Sequence, residues 1–256
     1  MAQFKIDRRA LPRHIGIIMD GNGRWANQRG WERTRGHKAG SHAVRKIVKA
    51  CRRLGIEVLT LYAFSAQNWG RPDFEVKALM DLLAEFIARE WEEIMERGIR
   101  VVHLGELRRV PSEVRKRLLA LEKASRKNKD MTLALALSYG SREELLRATR
   151  NLVRRASQGK IEPKDLHLAT IDKALYTSKL PDPDLIIRTG GEMRLSNFLL
   201  WQCAYAELYF SKVLWPDFTA NHLELAIADY QHRKRRFGLT DEQVKNRITS
   251  RDGSNG

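Results

Sequence analysis

Six short apolar runs alternate with longer helical patterns along most of the chain, and this alternation restricts the fold more than any other feature. The runs lie at 15–19, 58–64, 100–104, 133–139, 185–187 and 208–210. Because they are apolar on both faces, they are typical of parallel strands covered by helices on both sides. We therefore predict a single α/β domain with a largely parallel six-stranded sheet flanked by helices. Ligands of such sheets bind beyond the carboxyl ends of the strands, so the residues that follow each run are the candidates for function.

Two of the helical patterns have recognisable ends. One runs through residues 43–54 and stops at Gly55, the residue type that most often ends a helix in the left-handed conformation. The other begins at Pro72-Asp73, with Asp73 as the N-cap, and continues to Gly98. Its apolar stripe, from Val76 toward Trp91, is either core packing or part of the wall of an apolar tunnel. The pattern alone leaves both interpretations open.

The charge of the chain is uneven. The formal net charge is +16, and residues 1–53 hold fourteen Lys and Arg against three acidic residues. Such a surplus favours polyanionic partners, which include nucleic acid, an anionic membrane surface and phosphorylated small molecules. No window reaches the length of an apolar membrane span, and the two cysteines are too few for a disulfide framework. We expect a soluble, cytoplasmic protein.

The loop after the first strand, Asp20-Gly21-Asn22-Gly23-Arg24-Trp25, has the composition of a phosphate cradle. Its glycines allow a tight turn, and its arginine adds a fixed positive charge. The leading aspartate would repel a bare phosphate and therefore suggests a Mg²⁺ ion that bridges the carboxylate and phosphate oxygens. Two alternatives remain: a structural turn with a helix-capping aspartate, and a dinucleotide fingerprint, which lacks the acidic residue expected at the end of the second strand.

Two further loops carry groups that can bind anions. Residues 65–72 combine a hydroxyl, two amides, an arginine and Trp69, although that indole could also pack on the core. After the fifth strand, Arg188, Arg194 and Ser196 surround a Gly-Gly turn and form a candidate anion clamp. Glu207 follows and could supply a second carboxylate, whereas the histidines lack the spacing of a zinc site. Three such loops and one aspartate suggest two phosphorylated groups with a metal, and an adjoining apolar tunnel would suit isoprenoid diphosphates.

Five stretches resemble the cis-prenyltransferase family. They are 14–26 (HIGIIMDGNGRWA), 33–37 (R-x-x-G-H), 64–72 (FSAQNWGRP), 184–201 (DLIIRTGGEMRLSNFLLW) and 204–218 (AYAELYFSKVLWPDF). The resemblance implies that isopentenyl diphosphate units are condensed onto an allylic diphosphate such as farnesyl diphosphate, with Mg²⁺ and new cis double bonds. It further implies a long product of the undecaprenyl class, used as a lipid carrier precursor for cell-wall synthesis. It also implies a homodimer that contacts the membrane peripherally for product release. It implies no nucleic-acid partner.

The resemblance assigns roles to individual residues. Asp20 and Asn68 would be catalytic, with Asn68 acting by position more than by basicity because a neutral amide is a poor base. Asp20 and Glu207 would hold the metal. The substrate-binding residues would be Gly21, Asn22, Gly23, Arg24, Trp25, Arg33, His37, Ser65, Ala66, Gln67, Trp69, Arg71, Arg188, Arg194, Leu195 and Ser196. One departure concerns position 67, where the family usually has Glu and this chain has Gln.

The resemblance and the composition together divide the chain into a basic N-terminal segment (1–13), a catalytic domain (14–245) and a polar tail (246–256) that we expect to be disordered. Near the end, Arg236-Phe237-Gly238 resembles a family element that reaches a diphosphate, although it could also be a solvated basic helix end. Two other classes of function stay in consideration. The charge alone suggests a nucleic-acid-binding module, and the glycine loop suggests a nucleotide-binding oxidoreductase. No Asp-rich D-D-x-x-D motif of a trans-prenyltransferase occurs.

Overall fold

The computed structural model describes residues 6–233. Within this range the strands are β1 (His14–Ile18), β2 (Val58–Ser65), β3 (Ile99–Leu104), β4 (Met131–Tyr139), β5 (Leu185–Arg188) and β6 (Glu207–Phe210). The α-helices are α1 (Asn22–Asn27), α2 (Arg33–Leu54), α3 (Asp73–Glu96), α4 (Ser112–Ser125), α5 (Ser141–Ser157), α6 (Leu168–Asp172) and α7 (Ala220–His232). All six predicted strands are therefore confirmed, within one or two residues at each end.

The strands form one sheet in the order β3-β4-β2-β1-β5-β6, and every neighbouring pair is parallel. The predicted α/β fold with a six-stranded sheet is confirmed. In the centre of the sheet, Ile18 at the end of β1 pairs with Arg188 at the end of β5. On the other side of β1, β2 and β4 end together at the pair Ser65 and Tyr139. Four carboxyl ends thus meet at one edge, which is where the sequence places its polar loops.

Both faces of the sheet are buried, as the continuous apolar runs predicted. Along β4, Leu133, Leu135 and Leu137 belong to a core cluster shared with α2, α3, α4 and α7. The alternating residues Ala134 and Ala136 belong to a second cluster on the opposite face. This alternation follows from the period of two in a strand, which points successive side chains to opposite faces.

The two helix predictions are partly correct. α2 ends at Leu54, and Gly55 follows with φ of 92°, as predicted. However, α2 begins ten residues earlier than its apolar pattern, because its first turns pack through the small buried residues Gly36, Gly40 and Ser41. Asp73 is not an N-cap but the first helical residue of α3; the preceding Pro72 carbonyl accepts the first N–H groups of that helix.

The predicted terminal segments are only partly covered. Residues 8–10 form a short 3₁₀ helix, and the Gln231 amide donates to the carbonyls of Asp7 and Ala10 at 2.7 and 3.0 Å, which ties the N-terminal segment to α7. The Arg236-Phe237-Gly238 element and the tail at 246–256 lie outside the described residues. Within residues 6–233, none of the helices combines the length and the apolarity that a membrane crossing needs.

Candidate active site

A cleft with a volume of about 650 Å³ lies over the carboxyl ends of the central strands. We call it the polar cleft. It contains eight of the predicted site residues, contributed by the loops after β1, β2 and β5: Asp20, Ser65, Gln67, Asn68, Arg71, Arg188, Arg194 and Ser196. These residues therefore meet in one cleft beyond the carboxyl ends of the parallel strands, where ligands of such sheets bind.

Asp20 is the carboxylate at the floor of the polar cleft. Its Oδ2 accepts a hydrogen bond from Arg188 Nη2 at 2.8 Å, and its Oδ1 lies 3.3 Å from Arg24 Nη2. Burial acts to raise the pKa of Asp20, but the hydrogen bond and charge of Arg188, together with Arg24, outweigh it and hold this pKa below its usual range. Asp20 does not cap α1, whose N-cap is Gly21 without a side-chain hydrogen bond, so the capping alternative is wrong.

Arg188 is a buried arginine whose contacts fix its guanidinium in one position. Only 4% of its side chain is exposed, and Nη1 donates to Ser196 Oγ at 2.7 Å and to the Arg194 carbonyl. Ser196 and the next residue, Asn197, both have positive φ, 49° and 64°, which turns the loop back over the arginine. Gly190 is required in the same loop, because its φ of 84° strains any L side chain and a Cβ there would also lie 3.1 Å from the Asp20 carbonyl oxygen. Of the predicted anion clamp, Arg188 and Ser196 are thus directly bonded, whereas the guanidinium of Arg194 pairs with Glu192.

The loop after β2 presents Asn68 in a fixed orientation. Its Oδ1 accepts from the Ser65 N–H at 3.0 Å, and its own N–H donates to Ser65 Oγ at 3.2 Å, which closes a capping box. Because Oδ1 is engaged, the group that Asn68 can offer to a substrate is its Nδ2 amide, a hydrogen-bond donor. This geometry fits a positioning role and not that of a base.

A buried glutamate that the sequence analysis missed organises the residues next to Asn68. Glu75, in the first turn of α3, accepts from Arg71 Nη1 at 2.9 Å, and its Oε1 also lies 3.7 Å from Arg33 Nε and 3.8 Å from His37 Nε2. Burial, aided by the charge of Arg71, lowers the pKa of His37 to about 4, so this imidazole is neutral at pH 7. A Cβ on Gly23 would lie 3.2 Å from the Arg33 guanidinium, so this cluster also borders the glycine loop.

An apolar cavity with a volume of about 180 Å³ opens beside the polar cleft, between α2, α3 and the sheet. Leu79 and Leu83 of α3 line it, whereas Ile87 and Ile94 of the same helix belong to the core. Part of the apolar stripe therefore lines a cavity, and part of it packs in the core. The cavity and the polar cleft share four lining residues, Met19, Tyr62, Asn68 and Arg71. A ligand with a charged head and an apolar tail can occupy both.

Several predicted site residues lie elsewhere. Trp69 packs against Phe64, with ring centroids 4.8 Å apart, and donates to Ser138 Oγ at 2.8 Å; it lines neither the cleft nor the cavity, so the core alternative describes it. Leu195 packs on the second core cluster, and Trp25 donates to Asp217 at 2.8 Å. Asn22 and His37 line the apolar cavity. Neither space is lined by Gly21, Gly23, Arg24, Arg33 or Ala66.

The structure does not bring Glu207 to Asp20, contrary to the expectation that they share a metal. Glu207 is the first residue of β6 and pairs with Leu185, at the amino edge of the sheet, while Asp20 follows the carboxyl end of β1. At a strand spacing of ~4.8 Å and a rise of ~3.3 Å per residue, their Cα atoms are roughly 15–20 Å apart. The Glu207 carboxylate instead accepts from Arg233 at 3.0 Å. Glu207 therefore cannot hold an ion together with Asp20 of the same chain.

Three residues with charged or amide side chains in the cleft region were not among the predictions. Arg142 and Asn197 line the polar cleft, and Glu143 accepts hydrogen bonds from Gln67 at 3.1 Å and from Asn197 at 2.8 Å. Arg142 and Glu143 follow the end of β4, so the rule that located the other loops could have found them. Asn197 stands next to the predicted Ser196.

Comparison with known proteins identifies the family. The family model described as "Putative undecaprenyl diphosphate synthase" matches residues 18–238 of this chain. The isoprenyl transferase of Clostridium perfringens is 50% identical over 228 residues, which are 89% of this chain and 90% of that protein. This chain belongs to the undecaprenyl diphosphate synthase family.

Other relatives support the same assignment. The ditrans,polycis-undecaprenyl-diphosphate synthase of Xanthomonas axonopodis pv. citri, described as specific for (2E,6E)-farnesyl diphosphate, is 45% identical over 240 residues, 94% of this chain and 93% of that protein. The crystal structure of lavandulyl diphosphate synthase from Lavandula x intermedia with dimethylallyl diphosphate matches with a TM-score of 0.88 and 37% identity, covering 90% of this chain and 99% of that chain. The resemblance to cis-prenyltransferases is confirmed, and the chain is a prenyltransferase and not a member of the two alternative classes.

The groups around Asp20 fit the Mg²⁺ ion expected of such an enzyme. Mg²⁺ keeps several waters and binds proteins through one or two carboxylates plus the phosphates of a substrate. Among residues 6–233 no cluster of three or more metal-binding side chains occurs, so the chain has no all-protein cage in this range. An aspartate has about four lone-pair sites, and Arg24 and Arg188 leave part of this capacity on Asp20. The donor set therefore suits an ion that arrives with a diphosphate.

Proposed function

We propose that this prenyltransferase condenses isopentenyl diphosphate units onto an allylic diphosphate to make a long-chain cis-polyprenyl diphosphate. The observation that carries the proposal is the junction of the polar cleft with the apolar cavity at Met19, Tyr62, Asn68 and Arg71. The cleft offers charge for diphosphates, and the cavity offers apolar volume for the prenyl chain. The name of the Xanthomonas relative specifies farnesyl diphosphate, and we propose the same starter here.

The departing diphosphate is stabilised by charge that is already in place. Arg24 lies beside Asp20 on the side of the allylic diphosphate, and Arg188 holds Asp20 from the side of the second substrate. The buried Arg188 is fixed by three acceptors, so the charges need no reorganisation as negative charge develops on the leaving group. Asp20, with its lowered pKa, is ionised at pH 7 and would hold the Mg²⁺ ion. When bound, that ion neutralises negative charge on the diphosphate oxygens.

The second substrate binds next to the first. Arg194, Ser196 and Arg142 line the cleft on the side of β5 and β4, where they can hold the diphosphate of isopentenyl diphosphate. Asn68 donates its amide hydrogens to orient the reacting groups, and a diphosphate oxygen is the better acceptor for the proton lost on condensation. The apolar cavity keeps water away from the allylic carbons, which become positively charged.

The product, its use and its surroundings are part of the same proposal. We propose a product of the undecaprenyl class that serves as a lipid carrier precursor for cell-wall synthesis. A homodimer is supported by large exposed apolar side chains, such as Met193 and Leu200, after β5. A cytoplasmic location with peripheral contact at the membrane is supported by the net charge of +16, which favours an anionic leaflet.

The test is product formation by the purified protein. Farnesyl diphosphate, labelled isopentenyl diphosphate and Mg²⁺ should yield labelled polyprenyl diphosphates whose chain length is read by mass spectrometry after phosphatase treatment. A chelator should stop the reaction and added Mg²⁺ should restore it. Absence of incorporation with any allylic starter would reject the proposed reaction, and products that stop after one or two additions would reject the long-chain class.

A further inference from the structure

Glu143 connects two of the loops that form the polar cleft. Its Oε1 accepts a hydrogen bond from Gln67 Nε2 at 3.1 Å, and its Oε2 accepts one from Asn197 Nδ2 at 2.8 Å. Gln67 belongs to the loop after β2 and Asn197 to the loop after β5, while Glu143 stands in the first turn of α5. A carboxylate only accepts hydrogen bonds, so this one is matched to two amide donors that come from opposite sides of the cleft.

The backbone around Glu143 is adapted to this arrangement. A Cβ on Gly140 would lie 2.1 Å from Glu143 Oε2 and 2.6 Å from Asn197 Nδ2, so the hydrogen bond between them passes through the space that only glycine leaves open. Gly140 has no side chain to cap α5, and Asn197 supplies the cap instead: its carbonyl accepts from the Ser141 N–H at 2.8 Å, and its Oδ1 accepts from the Arg142 N–H at 2.9 Å.

Asn197 is connected to Asp20 through its neighbour Ser196 and through Arg188. It holds a left-handed conformation beside Ser196, whose Oγ accepts from Arg188, and Arg188 in turn donates to Asp20 at 2.8 Å. The contacts that hold Asn197 in place therefore also hold Ser196 and Arg188 in place. Glu143 and Gln67 are both exposed, and exposed polar contacts contribute little to global stability. Their effect should appear in the geometry of the cleft.

We propose that Glu143 is a positioning residue that holds the loops after β2 and β5 in register across the polar cleft, and that it requires an amide at position 67. This inference rests on the proposed function only where it concerns isopentenyl diphosphate. The loop geometry that it describes can be measured without any substrate.

Four proteins test the pairing: the wild type, Gln67→Glu, Glu143→Gln and the double variant. Gln67→Glu sets two carboxylates against each other and should raise the Kd for isopentenyl diphosphate, measured by calorimetry without an allylic partner, about tenfold. In the double variant, the new amide at position 143 can donate to the new carboxylate at position 67 and still accept from Asn197. We therefore expect the double variant to bind within about twofold of Glu143→Gln alone, which is the signature of a coupled pair.

Hydrogen–deuterium exchange supplies the readout that is independent of substrate. The segment 189–199 should exchange faster in Gln67→Glu than in the wild type, and the double variant should restore its protection. The matched control is Gln158→Glu, the same chemical change at an exposed residue at the far end of α5, which should alter neither protection nor binding.

Three outcomes would overturn the inference. One is equal protection of 189–199 in the wild type and Gln67→Glu. A second is a Gln67→Glu defect that is the same whether residue 143 is Glu or Gln. The third is loss of protection with an unchanged Kd, which would reduce Glu143 to a structural role and reject the positioning claim. If the wild type makes no polyprenyl product, the proposed function fails, while the exchange data still decide whether the loops are coupled.

Discussion

Replacing Gly36 by alanine tests how the loop after β1 is held in place. Gly36 lies in α2 where this helix packs on α1, and a Cβ there would be 2.0 Å from the Asn22 carbonyl oxygen. Because Cβ atoms essentially never approach another heavy atom within 3.0 Å, Asn22 must move by at least about 1 Å, and a displacement of that size can cost about 10²-fold in rate. We expect kcat/KM for isopentenyl diphosphate incorporation to fall by this amount.

Stability should change much less than activity in Gly36→Ala. Overpacking costs about 1–3 kcal/mol, and the better helix propensity of alanine returns about 1 kcal/mol. Gly55→Ala is the matched control, since it lies at the other end of α2 with φ of 92° and nothing within 4 Å of its Cβ. It should lose about 1–2 kcal/mol in urea unfolding and keep its activity. A Gly36→Ala enzyme as active as the Gly55→Ala control would refute the claim that α2 positions the loop.

Asp20→Asn keeps an acceptor for the buried Arg188 but removes the negative charge, so turnover should fall by roughly 10²-fold or more. The free energy of unfolding in urea should change little. Near-normal turnover would remove Asp20 from the mechanism. Leu83→Trp fills part of the apolar cavity and should shorten the product. Ala78 does not line that cavity, so Ala78→Trp should leave the chain length unchanged. If mass spectrometry finds products of the same length from both variants, this part of α3 does not limit the chain. Burial lowers the pKa of His14 to about 4, so as pH falls the unfolded chain, with a pKa of ~6.5, takes up the proton first. The stability from a neutral His14 is complete above pH 6.5 and is lost as pH falls toward 4, which amounts to about 2 kcal/mol between pH 7 and 5; urea unfolding free energies that agree at these two pH values would contradict a buried neutral imidazole.

Much of the fold could be predicted because it depends on apolar periodicity. The buried strands carry continuous apolar runs, and Gly55 ends α2 for a conformational reason that is visible in the sequence. The first ten residues of α2 escaped prediction, since Gly36 and Gly40 pack closely without any apolar side chain. A close approach that is possible only because glycine has no side chain leaves no hydrophobic pattern in the sequence.

The site could be predicted where its residues follow strands. Asp20, Asn68 and Arg188 all stand at carboxyl ends and meet in the polar cleft. The prediction that Glu207 shares a metal with Asp20 overlooked the same rule, because Glu207 begins β6 and therefore lies at the opposite edge of the sheet. Glu75 gave no signal in the sequence, since an acidic residue in the first turn of a helix is ordinary. Only the fold shows that it is buried beside two arginines and a histidine.

The central feature of the proposed reaction is that the polar cleft and the apolar cavity hold one substrate between them. A crystal structure with Mg²⁺, isopentenyl diphosphate and the unreactive thio analogue of farnesyl diphosphate tests it most directly. We predict the allylic diphosphate beside Asp20 and Arg24, its prenyl chain passing Asn68 toward Leu79 and Leu83, and the second diphosphate at Arg188 and Arg194. A prenyl chain bound outside the cavity between α2 and α3, or an allylic diphosphate that does not reach Asp20, would contradict the account.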